Sequence, residues 1–426
     1  MCEVYWRADI VCVLRFCDTR SVSICEKGAG EEMKNIIITG GGMVNKGAQA
    51  MTLIAVYELR RRFPEHRILL YSPVDLANKE LQKEQFAFDF TGWYPLKFAK
   101  CQHNKLQRFG TLLRNGNELR TAESIYRNTD FIVDISGYAL GSNWSNKICN
   151  DFLDVLEFAQ GFHIPVYIMP QSFGPFDFGV DRQVLDDRIR KLLPTAKVIF
   201  AREQEGYDAL VNTYGLSNVR LAPDLVLSNK GIEIDQVFRV CPEIELPEID
   251  QNSVAVIPNS MNFQASNRET VMLMYVGIIE KLLDMRKQVY LLSHSAMDAQ
   301  LCKDIKMKFA DHKKVVLLEK DFSCLEFNEL VNKFDYLVAS RFHSIVHAFK
   351  NGVPCIALGW ATKYYDLLQL FGQEMYVFDV RKQNGAEAMF DGIEHMNEHY
   401  TEEALKIRNG LSVVQKGNVF DALLEG

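Results

Sequence analysis

A chain of 426 residues is longer than one ordinary hydrophobic core organises, so two domains are expected. With 48% apolar and 24% charged residues, a formal charge of −7 and no Lys/Arg run, the composition is that of a soluble globular protein without a nucleic-acid footprint. No apolar run approaches a membrane span, and the ten cysteines lack the paired CxxC spacing of a zinc site or a disulfide framework, so a reducing cytoplasm is the expected location.

Residues 1–33 stand apart from the rest. Cys2, Cys12, Cys17 and Cys25 fall there without periodicity, and Arg15 interrupts the only apolar stretch, which argues against a signal peptide. This segment is expected to be a poorly ordered extension ahead of a natural start at Met33.

Residues 34–228 alternate between strand-sized apolar runs and helical patterns. The strand Ile36–Thr39 leads into Gly40-Gly41-Gly42 and Asn45-Lys46-Gly47, then a helix from Ala48 to Arg62 with Met51, Ile54, Ala55 and Leu59 on one face. The glycines fit neither GxGxxG nor the P-loop, so the turn reads equally as an anion cradle or as a place where the backbone passes close to another element. Strands follow at Arg67–Tyr71, Phe131–Ile135, Val166–Met169 and Val198–Ala201. Helices are predicted over Lys105–Arg127, Ile148–Gln160 and Gln183–Leu193, and from Arg202 through Tyr214. Polar loops lie at Ser136–Trp144 and Pro170–Pro175. Residues 229–252, with Pro242 and Pro247 and no helical stripe, read as the interdomain connection.

Residues 253–385 resume the alternation. Strands are predicted at Val254–Ile257, Val289–Leu292, Val315–Leu318, Tyr336–Ala339 and Val353–Leu358, with helices at Glu269–Met285, Leu325–Lys333 and Ser344–Lys350. Residues 386–426 form a polar helical tail expected to pack across the first domain. Repeated strand–helix order implies an α/β fold with parallel sheets and helices on both faces.

Arg341 and His343 fall in the turn between a strand's carboxyl end and a helix start, where an open parallel sheet binds ligands. The helix start adds N–H donors and partial positive charge, Arg341 a planar fork, and His343 a group that titrates near neutrality. His347, inside the helix, reads as a packing residue. His294, Lys363 and Arg202 also follow strands, so they are expected to converge with Arg341 and His343 in a cleft suited to a small, multiply charged anion. Asn45, Gln171, Asn259 and Ser340 are the polar strand-end residues expected beside them. Carboxylate pairs, a Ser-His-Asp order and metal-ligand spacings are not evident, so hydrolase and metalloenzyme readings rank low and no metal is expected.

The runs IIITGGGMVNKGAQAMTL, VDISGYALGSNW, IPVYIMPQSFGPF, VIFAREQEGYDAL, LAPDLVL, VAVIPNS, LLSHSAMDAQ and VASRFHSIVHAFKNGVPCIALGWATKYYD together resemble the polysaccharide pyruvyl transferases, over about residues 35–380. The resemblance implies two Rossmann-like domains facing a cleft, as in GT-B glycosyltransferases. It also implies transfer of pyruvate from phosphoenolpyruvate, without a further cofactor, as a ketal onto two hydroxyls of a sugar. By motif match Arg202, Arg341 and His343 fall where the family's functional residues are expected, with His343 as general acid. The implied acceptor is a glycan or lipid-linked sugar, which brings an expectation of peripheral association with the inner face of the membrane. SGYALG departs from the consecutive glycines of many relatives and bears on acceptor identity. Two other classes fit the same architecture: a GT-B glycosyltransferase using a nucleotide-sugar, and a non-catalytic sugar- or phosphate-binding protein.

Overall fold

The computed structural model describes residues 33–92, 121–359, 362–381 and 386–425. The expectations for residues 1–32, for most of the Lys105–Arg127 helix and for Trp360-Ala361 lie outside these.

Two all-parallel sheets organise the chain. The first contains β1 (Asn35–Thr39), β2 (Arg67–Tyr71), β3 (Asp89–Thr91), β4 (Thr129–Asp134), β5 (Tyr138–Leu140), β6 (Val166–Phe173), β7 (Val198–Ala201) and β8 (Val219–Leu221). Its spatial order is β3-β2-β1-β4-β6-β7-β8, with β5 pairing beside β6. The second contains β9 (Ser253–Ile257), β10 (Gln288–Leu292), β11 (Val315–Leu318), β12 (Tyr336–Ala339), β13 (Cys355–Gly359) and β14 (Val377–Asp379), in the order β11-β10-β9-β12-β13-β14. Central strands such as Val254–Ile257 and Tyr336–Ala339 are apolar and buried along their whole length, as a sheet covered on both faces requires. The chain therefore has two α/β domains of parallel, doubly wound type, as expected.

In each sheet the order reverses once, between β1 and β4 and between β9 and β12. Loops leaving such a pair turn to opposite faces and open a crevice at the carboxyl edge. Those two edges hold the candidate site.

One apolar core runs through both domains, from the helix Lys46–Arg62 through Leu225–Leu227 to the helices Cys324–Val331, Phe342–Lys350 and Ala386–Val414. Polar contacts cross the same boundary: Cys324 N donates to Gln49 Oε1 at 2.7 Å and Lys350 Nζ to Asn229 Oδ1 at 3.3 Å. The tail packs across the first domain as expected. Gln415 Nε2 donates to the Leu227 carbonyl at 3.2 Å, Asn418 Nδ2 to Glu58 Oε1 at 2.9 Å, and Phe420 is buried.

Four differences from the sequence reading have physical causes. β6 continues through Pro170 to Phe173 where a loop was expected; its register against β7 shifts between Ile168 and Gln171, which accommodates a residue without an N–H. β5 forms inside the expected loop Ser136–Trp144. Edge strands β3, β8 and β14 are three residues each, too short for periodicity to show. The start of the 229–252 connection belongs to the first domain, because Val237 is buried there and its carbonyl accepts from Ala87 N at 2.8 Å.

If the tail helix is part of the cooperative core, Ile407→Ala, at a fully buried position, should cost about 2–5 kcal/mol in urea unfolding. A change within the roughly 0.5 kcal/mol typical of surface sites would show that the helix only rests on the domains.

Candidate functional site

The second domain contributes the turn after β12. Arg341 is extended (φ −94, ψ 126) and precedes the helix Phe342–Lys350, which no side chain caps at its start. Ser344 turns inward instead, donating from Oγ to the Arg341 carbonyl at 2.6 Å. Ser344 N also donates to that carbonyl, at 3.0 Å, so the amides of Phe342 and His343 and the helix dipole are what the turn leaves for a ligand. Asn351 and the left-handed Gly352 (φ +70) end the helix where the sequence placed its stop.

Arg341 is held by a carboxylate. Its Nε and Nη2 donate to the two oxygens of Asp298, each at 2.7 Å, and Asp298 also accepts from Ser260 N at 2.9 Å and Ser260 Oγ at 2.8 Å. This fork-to-fork pair fixes the plane of Arg341 and leaves Nη1 without a hydrogen bond among the described residues. Ser340 and Asn259 lie beneath it, both buried. Asn259 Nδ2 and the Tyr364 hydroxyl donate to the Ser340 carbonyl at 3.0 and 2.9 Å, and Tyr275 shares a 2.7 Å hydrogen bond with Ser340 Oγ. These two expected ligand contacts therefore support the turn rather than line the cleft.

The first domain contributes the glycine-rich turn, three of whose amides are already engaged. Gly42 N donates to Thr52 Oγ1 at 3.0 Å, Met43 N to Asp75 Oδ2 at 2.9 Å, and Gly47 N to Asn45 Oδ1 at 2.9 Å. Asn45, exposed, is the N-cap of Lys46–Arg62. Gln171 is buried on β6, beside β4, its Nε2 donating to Asp134 Oδ1 at 3.3 Å. Burial pushes the Asp134 carboxyl up, against hydrogen bonds from Thr39 and Ser136. The turn does make a close backbone approach, since a Cβ on Gly40 would meet the Ser136 backbone at 2.6 Å. A Cβ on Gly47 would sit 2.3 Å from His343 Nδ1, so the first domain's helix start is shaped to receive the second domain's histidine.

Arg202 is enclosed rather than open to a ligand. Its side chain is 4% exposed, and Nε donates to Ser172 Oγ at 3.0 Å and Glu203 Oε1 at 2.8 Å, while Nη1 donates to Asp224 Oδ2 at 2.9 Å. Its guanidinium lies 4.3 Å from the ring centre of Phe342, across the domain boundary. The sequence reading placed Arg202 among the groups that bind the anion; in this structure its guanidinium is engaged by the protein's own carboxylates. It is a buried ion compensated by two carboxylates, placed under the turn that bears Arg341 and His343.

The remaining groups converge around Phe342. His343 Nε2 is 3.8 Å from the buried Asp224 Oδ2 and makes no hydrogen bond among the described residues. Burial pushes its pKa down to about 4; Asp224 opposes this, while Arg202 and Lys363 add to it. Lys363 Nζ lies 5.3, 5.7 and 5.9 Å from the rings of Phe342, Tyr364 and Tyr138, with no carboxylate partner among the described residues. Burial first, then Arg202, lowers it to about 8. His294 is 3% exposed, and among the described residues neither ring nitrogen has a hydrogen-bond partner. Burial pushes it well below its ordinary value, and His347, Lys46, His343 and Arg341 act in the same direction. His347 packs in the core, 3.3 Å from Asn328 Oδ1, as the sequence suggested.

Arg341, His343, Lys363 and His294 therefore share one electrostatic environment, with Arg202 beneath it, whereas Ser340, Asn259, Gln171 and Asn45 scaffold it. Sequence reasoning looked for cations and passed over Asp224 in LAPDLVL and Asp298 in LLSHSAMDAQ. A carboxylate immediately after a strand or in a strand-end loop was the available signal. Among the described residues, no group of three His, Cys, Asp or Glu is placed to hold a metal ion, and no helix is long and apolar enough to cross a membrane.

The family model for polysaccharide pyruvyl transferases matches residues 45–362, a span that contains Arg202, His294, Arg341 and His343 and ends one residue before Lys363. The chain belongs to the polysaccharide pyruvyl transferase family. No curated protein matches it. Among solved structures it is similar to UDP-GlcNAc 2-epimerase of Methanocaldococcus jannaschii, with 15% identity over 85% of this chain and 92% of that one and a TM-score of 0.53. It is also similar to the S. aureus MnaA–UDP complex, with 10% identity, 92% and 94% coverage and a TM-score of 0.54. A glycosyltransferase of Rickettsia africae gives 12%, 92% and 96%, and 0.53. At such identities these likenesses show the fold alone, a GT-B type arrangement shared by this pyruvyl transferase family member.

Gly47→Ala should uncouple this interface from the fold. The new methyl displaces His343, so turnover is expected to fall by about 10²-fold, in the range for a misplaced acid–base group. Helix propensity favours alanine, but displacing a buried ring costs about 1–3 kcal/mol, so the variant should stay folded with a modestly lower thermal midpoint. Full activity in the variant would show that the histidine does not need this seat.

Proposed function

We propose that this transferase takes phosphoenolpyruvate as donor and places pyruvate, as a cyclic ketal, on two hydroxyls of a sugar in a glycan under assembly, free or lipid-linked, on the cytoplasmic side of the membrane. The observation that carries this reading is the uncapped helix start flanked by Arg341 and His343, with Lys363 the ammonium left uncompensated beside it. A compact trianion with phosphate and carboxylate groups matches that concentration of charge. The diphosphate of a nucleotide-sugar finds less support, since the amides of Gly42, Met43 and Gly47 in the glycine-rich turn are engaged by Thr52, Asp75 and Asn45.

The chemistry requires a proton on the methylene carbon of the donor, which turns C2 into an oxocarbenium-like centre. One sugar hydroxyl attacks C2 and loses its proton; the C2–O bond to phosphate breaks; the second hydroxyl closes the ketal. Of the two hydroxyl protons released, one replaces that given to the methylene and the other leaves on inorganic phosphate, so no oxidant or further cofactor enters. His343 is the proton donor in this reading. It is neutral in the empty cleft and acquires its proton when the donor's negative charge replaces the repulsion of Arg202 and Lys363. Arg341 Nη1, the helix amides and Lys363 bear on the phosphate and carboxylate, and the unpartnered nitrogens of His294 offer further contacts. Arg202 works from below, holding Asp224 and Phe342 in place.

Thermal shift separates the readings. Phosphoenolpyruvate should give saturable stabilisation, and UDP-sugars alone should not. Lys363→Met should weaken donor binding by about 1.5–3 kcal/mol, the cost of losing a charged contact. His343→Ala should keep most donor affinity and lose about 10²–10⁴ in phosphate release with acceptor present. Stabilisation by UDP-sugar with no response to phosphoenolpyruvate would overturn the donor assignment.

A further inference from the structure

The first domain carries an aromatic platform that the reaction described above leaves unused. β5 is held beside β6, and the loop after it is tied to the Phe173–Pro175 segment. Gly174 N donates to the Leu140 carbonyl at 3.0 Å, Ser142 N to the Pro175 carbonyl at 2.7 Å, and the Tyr138 hydroxyl to the Gly174 carbonyl at 2.8 Å. The approach is so close that a Cβ on Gly141 would meet the Gly174 oxygen at 2.4 Å. On this rigid loop Trp144 is 42% exposed, its ring 5.8 Å from that of Tyr138. A single exposed apolar side chain is unremarkable by itself. This one is fixed at the ligand edge of the first sheet, and its neighbour Tyr138 lies 5.9 Å from Lys363 Nζ, inside the cleft. Exposed Asn143 and Ser145 flank the indole, and Ser145 Oγ makes no cap to the helix it precedes.

We infer that Trp144, with Tyr138 beside it, forms the acceptor subsite, on which the apolar C–H face of a pyranose ring stacks while Asn143 and Ser145 meet its hydroxyls. A rigid aromatic ring bordered by amide and hydroxyl groups matches the two-faced chemistry of a sugar: C–H bonds on one face, hydroxyls round the edge. The row Trp144, Tyr138, Lys363, Phe342 leads from the exposed platform to the turn bearing His343, so a glycan lying along it presents a ring to the reacting carbon. The inference rests on the proposed pyruvyl transfer for the direction of that row, and the test reads donor and sugar separately.

The experiment is saturation-transfer NMR on the full chain with phosphoenolpyruvate present. The sugar probes are lactose, cellobiose, maltose and the methyl glycosides of galactose, glucose, mannose and N-acetylglucosamine. At least one should receive saturation on the C–H protons of a single ring face. Trp144→Ala should weaken that sugar about tenfold, the worth of one buried sugar face, and Trp144→Phe should largely restore it. Both variants should keep the wild-type thermal response to phosphoenolpyruvate, which shows them folded and leaves the donor reading independently judged. An unchanged sugar signal in Trp144→Ala overturns the inference, as does the absence of any signal with the wild type. Loss of sedimentation with phosphatidylcholine/phosphatidylglycerol vesicles in Trp144→Ala, with sugar binding unaltered, would overturn it in favour of a lipid surface.

Discussion

Two buried carboxylates decide what the cations of the cleft are able to do. Asp298 takes both forward nitrogens of Arg341, and Asp224 takes Arg202 while standing 3.8 Å from His343. A buried ion pair is poor at stabilising a fold, because desolvation cancels most of the attraction, yet removing one partner costs several kcal/mol. Its use here is positional. Two guanidinium groups are locked in plane before any ligand arrives, and the charge that remains uncompensated is concentrated on Lys363.

The second constraint is the seat of His343. The histidine belongs to the second domain, but the space it occupies is made by Gly47 of the first. Phe342, its neighbour in sequence, is gripped across the same boundary by Arg202. The turn bearing Arg341 and His343 is therefore complete only when the domains are apposed, and the shared core together with the tail helix maintains that apposition. Preorganisation of this kind lowers the reorganisation that a charged reaction would otherwise require. It also gives the glycine-rich loop a structural use: its conformation serves the approach of another element.

The sequence disclosed the alternating strands and helices, the strand-end position of Arg341 and His343, and the packing role of His347, because these depend on local periodicity and on topology. Pairing was not legible. Nothing local distinguishes Arg202, closed off by Glu203 and Asp224, from Arg341, which keeps one nitrogen free, since both follow a strand and precede a helix. The fate of Gln171 depended on a strand running on through Pro170, and that of Ser340 on the tyrosines 275 and 364, which lie far away along the chain. Asp224 and Asp298 were visible as letters within motifs, but their partners come from other strand ends, and only the folded sheets bring them together.

The account turns on the charge state of His343, neutral in the empty cleft and protonated once the donor is bound. An imidazole-labelled NMR titration of the wild type, assigned with His343→Gln and run with and without a non-reactive phosphoenolpyruvate analogue, reads this directly. His343 should titrate at about 4 in the free protein, with burial the main cause, and move upward towards neutrality in the complex. A His343 that titrates at the ordinary value of about 6.5 in the free protein, or fails to move when the analogue saturates the site, would contradict it.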